Sequence, residues 1–315
     1  FIKFDEILVL AGHHNGWFTP ENILFSLESW SELLTPLELE RWLSAYDLGK
    51  NKPKTVALIM AGNIPLVGFH DFISTLITGN KVLVKLSSND KILLPFIAQY
   101  LIEVEPSLKD QISFSEGKLE EFDAIIATGS DNTSRYFEHY FGNKPNIIRR
   151  NRNSVAILSG NETNDELAAL GEDIFRYYGL GCRSVSKLFV PNDYNFDALF
   201  KALYPYNTII EQHKYANNYD YNKAVYLMSL YKILENGFLM LKEDENYASP
   251  IATVFYEFYE SLEELKIRLT NEKDRIQCMV AKGFIEDEVP FGLTQKPSLT
   301  DYADNIDTVD FLLKT

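Results

Sequence analysis

The chain is poor in cysteine, in basic charge and in long apolar runs. Only Cys182 and Cys278 occur in 315 residues. Two cysteines make no disulfide framework and suggest a reducing compartment. Acidic residues outnumber basic ones 45 to 30, giving a formal net charge of −15. Such a chain repels polyanions, so neither nucleic acid nor an anionic membrane surface is expected as the main partner. No apolar run reaches the roughly 20 residues of a membrane-spanning helix, and no basic stretch followed by an apolar core opens the chain. The sequence therefore reads as soluble and cytoplasmic. Repeats and low-complexity tracts are absent. His13-His14 falls in a loop without further ligands at metal-site spacing and His70 lies in a helical pattern, so no metal is expected. What is plentiful is apolar residue, 46% of the chain, enough to fill the cores of two domains.

Residues 1–50 read as mostly helical. Thr19-Pro20-Glu21 and Thr35-Pro36-Leu37-Glu38 are helix starts, each a capping residue followed by proline at the first helical position, and Gly49–Pro53 is a polar connector. From Thr55 the pattern changes. Thr55–Met60, Lys81–Lys85 and Phe122–Ala127 are short, β-rich runs. They alternate with helical stretches at Leu66–Thr78, near Ile92–Glu103 and from about Ser130. Strands joined by crossover helices form a parallel sheet covered on both faces. This is a doubly wound α/β domain.

Parallel sheets bind ligands at the carboxyl ends of their strands. Here those ends are Gly62-Asn63-Ile64-Pro65, Lys85-Leu86-Ser87-Ser88 and Thr128-Gly129-Ser130-Asp131, the last opening a helix whose free N–H groups suit a phosphate. Together they suggest a nucleotide crevice, although no G-x-G-x-x-G fingerprint follows the first strand. Further on, Asn164-Asp165-Glu166 opens a helix with Leu167, Leu170, Ile174 and Tyr177 on one face, which Gly179 stops. Ser186–Val190 is a strand ended by Pro191. Cys182 sits in the turn between the two, where it is either a cleft-facing nucleophile or a small core residue. Cys278 lies in a strand-like apolar run and reads as core.

Asn63-Ile64-Pro65, Gly79–Lys85, Thr128-Gly129-Ser130, the Gly-x-Cys turn at Cys182 and Pro290-Phe291-Gly292 occur in the order seen in the aldehyde dehydrogenase superfamily. Val289–Gly292 leading into Gln295-x-Pro297 and Asp301–Asp304 resembles its acyl-CoA reductase, LuxC-like branch. The resemblance covers about residues 53–315. It implies a helical segment 1–52 packed on a cofactor domain 53–158, a catalytic domain 159–289 and a C-terminal segment 290–315 folding back. It implies that Cys182 attacks a thioester carbonyl, with the Asn63 amide and the Cys182 N–H as oxyanion donors. Lys85, Ser87 and Ser88 would line the adenosine ribose. Thr128, Gly129 and Ser130 would follow the pyrophosphate toward the nicotinamide. Relatives that complete a sheet across subunits make a homo-oligomer an expectation as well.

Two departures refine this. Matching the apolar end Ser154–Leu158 to the Glu-Leu-Gly-Gly segment of hydrolytic aldehyde dehydrogenases puts Arg149 at the glutamate and Asn151-Arg152 at the glycines. No carboxylate is then at hand to activate water. Many NAD-dependent members carry a glutamate three residues after the lysine, where this chain has Ser88, which would not repel a 2′-phosphate. NADPH is therefore expected ahead of NADH. The expected activity is reduction of an acyl-CoA or acyl-protein thioester to an aldehyde. The alternatives are CoA-acylating aldehyde oxidation and a non-catalytic nucleotide-binding subunit. The Arg149-Arg150-x-Arg152 cluster reads as a solvated turn or as a contact for CoA phosphates. The stretch Tyr204–Tyr221 reads as packing or as cover for an acyl channel.

Overall fold

The computed structural model describes residues 3–50 and 52–315, so the connector at Gly49–Pro53 falls partly outside them, at Asn51. Contacts divide the chain into two compact units. One runs to Asn151 and takes in Ser298–Thr315; the other is Arg152–Pro297.

The first unit opens with α1 (Phe4–His14), α2 (Pro20–Leu33) and α3 (Pro36–Leu43). The hydroxyls of Thr19 and Thr35 accept from the N–H groups of Asn22 and Glu38, as capping residues before proline should. His13 and His14 belong to the last turn of α1 and not to a loop: Ile7 and Ala11, one turn apart, are buried and carry the helix through to His14. There follow β1 (Thr55–Ile59), α4 (Phe69–Ile77), β2 (Lys81–Lys85), α5 (Leu93–Val104), β3 (Ile112–Phe114), β4 (Ala124–Thr128), α6 (Asp131–Phe141) and β5 (Asn146–Arg149). Helix α4 starts three residues later than the periodicity suggests, because Leu66 lies in the left-handed region at φ 57°.

The strands form one parallel sheet in the order β3-β2-β1-β4-β5, the doubly wound arrangement. Alternation decides its two cores. Val56, Leu58, Val82, Val84, Ala124 and Ile126 pack with Ile7, Ala11, Phe18, Ile23 and Phe72, while Ala57, Ile125 and Ala127 pack with Phe122 on the other face. Leu299, Tyr302 and Val309, the last in the terminal helix Thr308–Lys314, pack with Trp42. The Trp42 indole donates to the Tyr302 hydroxyl at 2.7 Å. The segment 290–315 is thus divided, its first eight residues staying with the second unit.

That unit comprises β6 (Asn153–Ile157), α7 (Asn164–Phe175), β7 (Val185–Pro191), α8 (Phe196–Leu203), α9 (His213–Met228), β8 (Ile233–Glu235), β9 (Met240–Glu243), β10 (Thr253–Tyr259), α10 (Leu262–Asn271) and β11 (Ile276–Val280). Its sheet runs β11-β6-β7-β10-β9-β8 and is parallel except for β8. Strand β6 pairs with β7 and β11. The boundary therefore falls before β6, at 151/152, and not after it at 158.

Candidate active site

Helix α7 opens with a reciprocal cap. Thr163 Oγ1 accepts from Glu166 N at 3.2 Å, and the Glu166 carboxylate accepts from Thr163 N at 2.8 Å. The cap is thus Thr163, one residue ahead of the Asn164 read from the sequence. The helix ends at Phe175, short of the last periodic residue. Tyr177 and Tyr178 then take φ 55° and 60°, followed by Gly179 at 73°. Two non-glycine residues in that region cost roughly 1–2 kcal/mol each. Tyr177 is buried and Tyr178 lies against the Tyr215 ring, 6.2 Å between centroids, so tertiary packing holds the reversal in place.

The reversal leaves Cys182 exposed just ahead of β7, whereas Cys278 is buried in β11. The Cys182 carbonyl accepts from Ser154 Oγ at 2.9 Å, and the same hydroxyl oxygen accepts from Cys278 N at 3.1 Å. One buried serine therefore fastens the cysteine turn to β6 and β11. The next two residues are fastened to the Pro-Phe-Gly segment: Arg183 Nε donates to the Thr294 carbonyl, and Gln295 Nε2 donates to Ser184 Oγ at 3.2 Å. Gly292, at φ 82°, lies where a Cβ would sit 3.1 Å from that of Ala169, so α7 and this segment touch at backbone distance. Beside the turn is a small pocket, open to solvent, lined by Phe175, Tyr178, Gly179, Tyr215, Leu239 and Ile251.

In the first unit, β2 and β4 flank β1, with Ile59 opposite both Lys85 and Ala127. The three polar strand ends consequently lie side by side. A Cβ on Gly62 would stand 2.7 Å from the Ser87 side chain, so only glycine lets these ends approach. Half-buried Asn63 follows, and Asn15 Nδ2 donates to the Gly62 carbonyl at 3.4 Å. Lys85 Nζ donates to the Gly117 carbonyl at 2.9 Å. Ser87 Oγ accepts from Asn89 N at 3.2 Å, and exposed Ser88 accepts through its carbonyl from His14 Nε2 at 2.7 Å. Asp90 is turned inward: it accepts from Leu93 N, at the start of α5, at 3.4 Å, and burial raises its carboxyl above the ordinary range. It lines a small cleft with Met60, Leu66, Phe69 and Leu94. Beyond β4, Ser130 caps α6 by accepting from Thr133 N at 3.4 Å. Gly129 leaves room that a Cβ would take from Phe137 and Thr133, at 2.9 and 3.0 Å. An open helix N-terminus, glycines at both close approaches and hydroxyls along the strand ends fit an extended dinucleotide.

Arg149 corrects the sequence reading. It is buried, forms an ion pair with Asp71 of α4, with Nη2 at 2.8 Å from Oδ1, and donates to Thr308 Oγ1 at 3.2 Å. It is neither part of a solvated turn nor exposed for CoA phosphates, because β5 ends against α4 and the terminal helix. Arg150 is exposed and pairs with Glu138. Ser154 and Asp173 are site-supporting residues that the pattern did not single out. Asp173 had a signal: it is a carboxylate three residues after Leu170 on the buried face of an amphipathic helix.

Known proteins share this fold. The chain superposes on an NAD⁺ complex of aldehyde dehydrogenase from Bacillus cereus with a TM-score of 0.62 at 14% identity, covering 88% of this chain and 67% of that one. It superposes on the Pseudomonas syringae indole-3-acetaldehyde dehydrogenase AldA with a TM-score of 0.57 at 14% identity, covering 74% and 57%. The fold is that of the aldehyde dehydrogenases. Within that class the chain belongs to the acyl-CoA reductase (LuxC) family, whose model matches residues 7–203. It is 25% identical over 228 residues to the long-chain acyl-protein thioester reductase of Aliivibrio fischeri, covering 66% of this chain and 47% of that protein. The chain thus spans about half the length of this relative. Among the described residues no helix is long and apolar enough to cross a membrane.

Proposed function

We propose that the protein reduces an acyl thioester, carried on CoA or on a protein, to an aldehyde through an acyl group held on Cys182. The observation that carries this reading is the exposed thiol on a strained and tightly fastened turn between α7 and β7, in a chain of the LuxC family. The Cys182 thiolate adds to the thioester carbonyl, and collapse of the adduct breaks the bond to the departing thiol, which takes up a proton. Asn63 and the Cys182 N–H are the proposed oxyanion donors; loss of one such donor costs about 10²–10³-fold in rate. A nicotinamide cofactor, held by Lys85, Ser87, Ser88 and Thr128–Ser130, would supply the hydride that turns the acyl-cysteine into aldehyde and free thiol. NADPH is the proposed form, supported by a serine, Ser88, and not a glutamate three residues after Lys85, and by the inward turn of Asp90.

The pocket beside Tyr178, with Phe175, Leu239 and Ile251 in its lining, is the proposed entry for the acyl chain. Two cysteines outside any disulfide, one of them exposed, suit a reducing compartment such as the cytoplasm. The test is covalent. Incubation with a radiolabelled acyl-CoA should label wild type and Cys278→Ala protein but not Cys182→Ala. Label retained by Cys182→Ala and lost from Cys278→Ala would overturn the assignment.

A further inference from the structure

We propose that Asp173 is a positioning residue that holds the Cys182 turn in its working geometry through the loop Pro290–Gln295. The inference rests on the reading of Cys182 as nucleophile. The Asp173 side chain lies at the buried face of α7 with 0% of the residue exposed. Its two oxygens accept from two backbone donors of that loop, Gly292 N at 2.6 Å and Thr294 N at 2.9 Å. The loop passes the constraint on, because the Thr294 carbonyl receives Arg183 Nε and Gln295 donates to Ser184 Oγ. Arg183 and Ser184 are the two residues that follow Cys182 in the chain. Helix, loop and turn therefore close a ring in which the carboxylate is the one element fixing two loop amides at once.

The chemistry at this point is specific. An asparagine would offer one amide acceptor and turn an NH₂ toward the other N–H, leaving a buried donor without a partner. Among the described residues, the contacts that hold its two oxygens are backbone N–H groups. The charged and titratable groups around it include Glu172 on its own helix, which raises its pKa further, the Tyr206 hydroxyl, and Arg176, which pairs with Glu172. A buried carboxylate is costly to keep unless hydrogen bonds satisfy it. Holding a loop that in turn holds the reactive turn is a role that only its two acceptors fill.

The experiment is a double-mutant cycle in the Cys278→Ala background, with Asp173→Asn, Arg183→Ala and the pair. Two rates are measured: alkylation of Cys182 by iodoacetamide and acyl transfer from an acyl-CoA. Each single change should slow both rates by about 10- to 100-fold, the scale of a small misplacement of a reacting group. The pair should be no slower than the worse single variant, because both act through one loop. Losses that multiply, or an Asp173→Asn protein that reacts at the wild-type rate, would overturn the proposal. If Asp173→Asn does not fold, Asp173→Ser with Arg183→Ala forms the same cycle, and multiplying losses again count against it. Alkylation needs no substrate. Coupling seen in alkylation without any acyl transfer would leave the positioning role standing and reject the thioester reading.

Discussion

The Arg149–Asp71 pair allows a prediction with a worked magnitude. Both side chains are buried, with side-chain exposures of 8% and 10%, and Thr308 supplies a third contact at 3.2 Å. Removing one partner strands the other charge away from water, which costs about 3–5 kcal/mol. Replacing both by apolar side chains of similar size removes charge and desolvation together, and such exchanges are often neutral or stabilising. Arg149→Met and Asp71→Leu should therefore each lower the unfolding free energy by about 3–5 kcal/mol, while the double variant should recover most of the loss. The measurement is urea denaturation followed by tryptophan fluorescence, since Trp17, Trp30 and Trp42 all lie in the first unit. Single losses below about 1 kcal/mol, the range of exposed pairs, would refute the argument. The same reasoning predicts that Arg149→Glu fails to create a hydrolase, because it sets a second carboxylate against Asp71 and destabilises the unit.

Ser88→Glu should weaken NADPH binding far more than NADH binding, since a carboxylate about 4 Å from the 2′-phosphate costs on the order of 4 kcal/mol per unit charge at an effective dielectric of 20; equal losses measured by fluorescence titration would remove the argument for NADPH. Burial raises the Asp173 carboxyl from 3.8 to about 6. A raised carboxyl favours the fold most below the unfolded value, and that contribution, up to about 3 kcal/mol, is lost as pH rises through about 6. Asp173→Asn should therefore flatten the fall in urea midpoint between about pH 4 and 6, and an unchanged slope would count against the buried titration.

Much of the first unit was legible because its signals are local. Val56–Leu58, Val82–Val84 and Ala124–Ala127 are apolar runs bounded by polar ends, and Thr19 and Thr35 announce their helices. The strand-end cluster followed from topology, since parallel order alone brings Gly62, Ser87 and Gly129 to one edge. Three things were hidden because they are decided by distant contacts. The helix before Cys182 carries a periodic Tyr177 but stops at Phe175, since packing of Tyr177 and Tyr178 outweighs their backbone strain. Strand β6 reads like the end of the first domain, yet its partners are β7 and β11. Arg149 stands in a run of basic residues that looks solvated, and its partner Asp71 is 78 residues away in sequence. The Asp173 contacts with Gly292 and Thr294, spanning 119 and 121 residues, belong to the same class.

The central claim is that Cys182 carries an acyl group that waits for hydride and not for water. It is tested most directly by incubating the protein with an acyl-CoA in the absence of NADPH and following its intact mass over time. With Arg149 locked to Asp71 and no glutamate at that position, the general-base help of about 10²–10⁴-fold is missing. The account predicts one added acyl group per chain, absent from Cys182→Ala, persisting over many turnover times and leaving as aldehyde when NADPH is added. Free acid released at the turnover rate without NADPH would contradict it.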